Sequence, residues 1–126
     1  MLFKSVDALV LRVGNLDEAL AFYRGRLGHR LLWRTERSAG LAMAEDSAEL
    51  VLSTDLEPQT DLLVDSVERA VAAFTEAGGT VVSPPSDIPV GKVAVVEDPF
   101  GNRLVLLDTS KGRYATGSGG NVTGVA

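Results

Sequence analysis

VDALVLRVGNLDEALAFYRGRLG, residues 6–28, reads as one strand, one turn and one helix, and the remainder of the chain falls into place around it. Over residues 6–13 the side chains alternate: Leu9, Leu11 and Val13 share one side of a strand, Ala8, Val10 and Arg12 the other. Gly14-Asn15 breaks the run. Asn15 suits a helix cap, Asp17 and Glu18 put negative charge in the first turn, and Gly28 closes the helix where a left-handed backbone is favoured. Leu16, Leu20, Tyr23 and Leu27 recur at helical spacing, the face expected to pack on Leu9, Leu11 and Val13. The Ala8, Val10 and Arg12 side is left for another purpose.

Three short strands are expected next, at residues 29–36, 41–44 and 49–53, separated by Ser38-Ala39-Gly40 and Glu45-Asp46-Ser47. The pattern then starts again. With Val64 placed over Val13, an offset of 51 residues, Asn15 meets Ser66, Leu16 meets Val67, Leu20 meets Val71, Tyr23 meets Phe74, Gly28 meets Gly79 and Gly40 meets Gly91. Caps, apolar stripe and glycine stops recur together, which signals internal duplication. The second copy continues with a strand at 80–82, a loop at 83–89 carrying three prolines, and strands at 92–97 and 103–108 around the turn DPFGN. Beyond residue 109 the sequence SKGRYATGSGGNVTGVA is rich in glycine, serine and threonine. Residues 111–126 therefore read as a mobile tail, with Tyr114 and Val122 able to anchor it to a partner subunit.

A chain of 126 residues suits one domain. A formal net charge of -5 argues against nucleic acid or an anionic membrane surface as partner. No cysteine means no disulfide, thiolate metal site or thiol nucleophile, and one histidine rules out a multi-histidine metal site within the chain. The first residues lack a signal-peptide pattern and no segment is long enough to span a membrane, so a cytoplasmic protein is expected. P-loop, dinucleotide, HExxH and GxSxG motifs are absent.

Two tandem βαβββ units, a helix of the NLDEALAFYRGRLG kind at 15–28 and a hairpin of the VEDPFGNRLVLLD kind at 96–108 closely resemble the vicinal oxygen chelate superfamily. That superfamily includes glyoxalase I, extradiol dioxygenases and the bleomycin-resistance proteins. The resemblance implies an α+β fold: tandem βαβββ units forming an open U-shaped eight-stranded sheet with a central cleft. It covers a single domain over 1–110, with units at about 4–55 and 59–108. It also implies a homodimer. Metal-dependent members hold a divalent cation on up to four cleft-facing side chains. Here the corresponding positions are Ala8, Gln59 and, in GNRLVLL, Val105, with either Glu49 or Val51 as the remaining one. Apolar side chains cannot bind a hard cation, so no metal and no cofactor is expected.

On this reading the cleft presents Arg12, Trp33, Glu49, Gln59 and Asp61 to a ligand, with no catalytic residue assigned. Arg12, on an inward strand position, needs an anionic partner, from the ligand or from Asp61 or Glu49. Trp33 suits stacking on a planar molecule, or plugs the core beneath the first helix if the strand parity is reversed. Asp61 and Glu49 are the candidate bases. His29, beyond the helix stop, reads as a solvent-facing residue. The leading expectation is a metal-free protein that binds a small organic molecule, similar to bleomycin-resistance-type sequestering proteins. The alternative is a glyoxalase-like metal-dependent isomerase or lyase with an atypical ligand set.

Overall fold

The computed structural model describes all residues, Met1–Ala126. It divides into two compact units, each α+β, as the repeat implies. One, here the N-terminal unit, comprises Asp7–Gln59 with Tyr114–Gly124; the C-terminal unit comprises Met1–Val6, Thr60–Arg113 and Val125–Ala126.

In the N-terminal unit, β1 (Ser5–Arg12) runs parallel to β4 (Glu49–Ser53), and β3 (Ser38–Ala42) and β2 (Leu31–Arg34) continue the sheet antiparallel in the order β2-β3-β4-β1. Asn15 caps α1 (Leu16–Leu20), its side-chain oxygen accepting the Glu18 N–H at 2.9 Å. Leu16 and Leu20 bury against Ala39, Leu41, Leu50 and Leu52. After Leu20 the helix widens into a π-helical segment, Ala21–Arg26, in which the Leu27 N–H reaches back five residues to the Phe22 carbonyl. The wider turn spoils the expected stripe. Tyr23 still touches the core, but Leu27 is rotated out and is 53% exposed. Gly28 stops the helix at φ 81°, the left-handed conformation its position calls for.

In the C-terminal unit, β5 (Gln59–Leu63) runs parallel to β8 (Arg103–Asp108), followed by β7 (Gly91–Glu97) and β6 (Thr80–Ile88) in antiparallel pairing. Ser66 caps α2 (Val67–Glu76) through the Arg69 N–H. The helix ends in a Schellman motif: the Gly79 N–H bonds the Phe74 carbonyl and the Gly78 N–H that of Thr75. The left-handed residue is Gly78, at φ 117°, rather than Gly79. Gly79 lacks a side chain for a different reason, because a Cβ there would lie 2.1 Å from the Phe74 ring. The core is Val64, Val67, Ala70, Ala94, Val96 and Leu106.

Two segments differ from the sequence expectation. The strand expected to end at residue 82 continues as β6 through Pro84 and Pro85 to Ile88, with register shifts on either side of Ser83. An outer strand tolerates prolines because the missing N–H need not serve a neighbour. The glycine-rich C-terminus folds rather than trailing away: β9 (Tyr114–Thr116), a 3-10 turn (Ser118–Gly120) and β10 (Val122–Val125) make a two-stranded ribbon. Its glycines supply the turn, with Gly119 and Gly120 at φ 72° and 81°.

Strand register corrects the repeat alignment. Val10 lies beside Val51 and Asp61 beside Val105. An offset of 51 relates Val10 to Asp61, so Val51 is the counterpart of Val105 at an offset of 54. Gly40 pairs with Val51 and Val95 with Val105. Gly40 therefore corresponds to Val95, and its match with Gly91 in the sequence is coincidental.

Candidate functional site

Strand alternation places Ala8, Val10 and Val51 on the face of the N-terminal sheet opposite the α1 core, where they bury with Trp33 against them. Trp33 is thus on the Ala8 side and does not plug the core beneath α1. Across the sheet, Trp33 on β2 pairs with Gly40 on β3, which pairs with Val51 on β4. The indole spans Gly40 and its Nε1–H donates to Glu49 Oε1 at 2.6 Å. Such a hydrogen bond to an ionised acceptor is short and strong. It exists because residue 40 has no side chain: a Cβ would sit 2.1 Å from Trp33 Nε1 and 2.7 Å from Glu49 Oε1. A glycine within a strand is the sequence signal for such close approach.

The C-terminal ribbon completes this arrangement. The Tyr114 ring lies against the Trp33 ring with centroids 4.9 Å apart and planes at 48°. Burial pushes the Tyr114 phenol above its ordinary range, and the negative charge of Glu49 pushes it further. Tyr114 therefore stays protonated. Sequence reasoning named it only as an anchor to a partner subunit; its role in this cluster follows from the folded ribbon.

The other sequence candidates are placed differently. Arg12 is exposed at the end of β1 and pairs with Glu57, not with Asp61 or Glu49. In register it faces Ser53, four residues along β4 from Glu49 and so roughly 13 Å away along the strand. The expectation that an inward guanidinium needs a buried anion does not apply, since the group is solvated. Gln59 is half-buried at the start of β5, and Asp61 is buried beside Val105. His29 is not simply solvated: its Nδ1 lies 3.0 Å from the Ala42 carbonyl oxygen.

One buried carboxylate escaped sequence reasoning. Asp108 accepts backbone N–H groups from Val67 at 2.8 Å, Lys92 at 3.0 Å and Ser110 at 3.1 Å. Burial alone raises its pKa, but the Val67, Ser110 and Lys92 donors outweigh that and hold the carboxyl below the ordinary range. It ties the first turn of α2 to the start of β7. These donors lie in two different elements and a turn, which marks Asp108 as a structural group.

The donor set does not fit a divalent cation of the superfamily type. With Val51 the counterpart of Val105, the four positions are Ala8, Val51, Gln59 and Val105, of which only an amide can donate. Glu49 sits beside Ala8, one strand-repeat away from Val51. No three His, Cys, Asp or Glu side chains group to hold a metal. No helix is long and apolar enough to cross a membrane.

Comparison with known proteins agrees with the fold. The Glyoxalase/Bleomycin resistance protein/Dioxygenase superfamily matches residues 5–106. A probable lactoylglutathione lyase of Synechocystis sp. is 28% identical, over 80% of this chain and 92% of that protein. A probable chloroplastic lactoylglutathione lyase of Arabidopsis thaliana is 27% identical over 79% of this chain, which spans about a third, 34%, of its length. Among solved structures, methylmalonyl-CoA epimerase from Mycobacterium tuberculosis superposes with a TM-score of 0.71 at 18% identity, covering 86% of this chain and 90% of that one. A hypothetical protein from Bacillus halodurans C-125 gives 0.70 at 17% identity, covering 88% and 98%.

Proposed function

Since the chain belongs to the Glyoxalase/Bleomycin resistance protein/Dioxygenase superfamily, we propose that it is a glyoxalase-like isomerase or lyase acting on a small acyl or carbonyl compound, with Glu49 as its acid–base group. The observation that carries the reading is the Glu49 carboxylate held at 2.6 Å by the Trp33 indole. A side-chain donor fixes the orientation of the carboxylate on the sheet face opposite α1, which is what a general base needs. The relatives named lactoylglutathione lyase support an enzyme over the sequestering protein that the sequence alone favours. In the reaction Glu49 takes the proton from a hydroxyl-bearing carbon next to a carbonyl and returns it to the carbonyl carbon, while the hydroxyl proton passes to the former carbonyl oxygen; such a general-base step contributes on the order of 10²–10⁴-fold. No step runs through a metal, because the residues do not supply its ligands.

Incubation with S-lactoylglutathione, followed by loss or formation of its thioester, tests this. Wild type is expected to turn it over, and Glu49→Gln to slow turnover by about 10²-fold or more. Binding by both proteins without any turnover would instead favour sequestration, the second reading. That reading draws on the hydrocarbon side chains of Ala8, Val10 and Val51, which bury together with Trp33 against them on the sheet face opposite α1.

A further inference from the structure

The C-terminal ribbon touches β2 at Leu31, Trp33 and Arg34. Gly120 packs against Leu31, so closely that a Cβ would lie 2.9 Å from the Leu31 Cδ2. Tyr114 packs at a tilt against Trp33, and Asn121 bridges in parallel to Arg34. The ribbon closes on itself through the Gly117 N–H to the Asn121 carbonyl at 2.8 Å. Trp33 is thus held on two sides: its edge bonds Glu49 across the bare backbone of Gly40, and its ring meets Tyr114.

We propose that Tyr114 is a positioning residue for the Glu49 carboxylate, acting through the Trp33 indole. An indole bound at one edge can swing about its side-chain torsions, taking its N–H away from the carboxylate. An aromatic ring seated 4.9 Å away removes that freedom at the cost of ordering the ribbon once, during folding. The last residues of the chain are in this way part of the site, although they lie far from it in sequence. The inference rests on Glu49 being the working group of the proposed enzyme.

Trp33 is the single tryptophan of the chain, so its indole N–H gives one NMR resonance that reports the bond directly. In wild type this proton is expected far downfield and slow to exchange with solvent. Glu49→Gln should move it upfield. Tyr114→Ala should move it in the same direction and speed its exchange by about tenfold or more, while Tyr114→Phe, which keeps the ring, stays within about twofold of wild type. Tyr114→Leu serves as a second truncation should the alanine variant fold poorly, and unchanged backbone amide shifts in the two units certify the fold. An indole proton unaltered in shift and exchange by Tyr114→Ala or Tyr114→Leu overturns the proposal, as does one perturbed equally by Tyr114→Phe. With S-lactoylglutathione, the truncations are expected to lower kcat by about tenfold with KM little changed, and phenylalanine to rescue it. Absence of turnover in wild type with the indole behaving as expected would defeat the enzymatic reading and leave the positioning intact.

Discussion

Glu49 and Asp108 are carboxylates in comparable settings put to different ends. Each lies on the strand that runs parallel to the first strand of its unit, β4 for Glu49 and β8 for Asp108. Each lies against a glycine of the adjacent antiparallel strand: a Cβ on Gly40 would come within 2.7 Å of Glu49 Oε1, and one on Gly91 within 2.4 Å of Asp108 Oδ1. Asp108, however, accepts three backbone amides, whereas Glu49 accepts the side chain of Trp33 beside Tyr114. Backbone donors cannot move without unfolding an element, so Asp108 is a structural staple. A side-chain donor can yield, which suits Glu49 to the acid–base role proposed for it.

The largest effects separate the two groups. Glu49→Gln is expected to lower turnover by about 10²-fold or more while changing stability by less than about 1 kcal/mol. Asp108→Asn should do the opposite, removing about 3 kcal/mol from the urea unfolding free energy, because amide donors lose a charged acceptor and meet an NH₂ group. Equal losses of stability in both variants would erase the distinction.

The glycines sharpen it. A Cβ at Gly91 would sit 2.2 Å from the Asp108 backbone oxygen, which cannot step aside, so Gly91→Ala is expected to cost about 2–3 kcal/mol by chemical denaturation. At Gly40 the obstacle is the Trp33 side chain, which can swing out. Gly40→Ala should therefore cost about 1–2 kcal/mol yet red-shift Trp33 emission, since the indole leaves Glu49 for solvent.

Acid unfolding follows from the same staple. The Asp108 pKa is held below its ordinary value of 3.8, so its contribution to stability is complete above that value and is lost as pH falls towards and through the lower, folded-state pKa. Asp108→Asn should flatten the stability profile in that acid window and leave its slope near neutrality unchanged. The smallest effect is expected at Arg12, whose pairing with Glu57 is between exposed groups. Arg12→Ala should change stability by less than about 1 kcal/mol and turnover by no more than about twofold.

The fold was legible because its signals are local. Asn15 and Ser66 cap their helices, Gly28 adopts the left-handed turn, and alternation in β1, β4, β5 and β8 places each side chain on its face. Where the sequence misled, the cause lay beyond local pattern. The π-helical widening that exposes Leu27 leaves no mark in the apolar spacing. The offset between the halves drifts from 51 residues at Val10 to 55 at Gly40, which made Gly40 resemble Gly91 and kept Glu49 and Val51 tied as candidates until register separated them. Of the expected site, Trp33 and Glu49 come together. Arg12 does not join them, and Tyr114 arrives from a ribbon whose composition pointed to disorder.

Turnover of S-lactoylglutathione by exhaustively chelated wild type and Glu49→Gln tests most directly whether a carboxylate oriented by an indole does the work. Chelated wild type is expected to retain its rate, with the variant slower by about 10²-fold or more. A rate that vanishes on chelation and returns with nickel, zinc, cobalt or manganese, or a variant as fast as wild type, would contradict it.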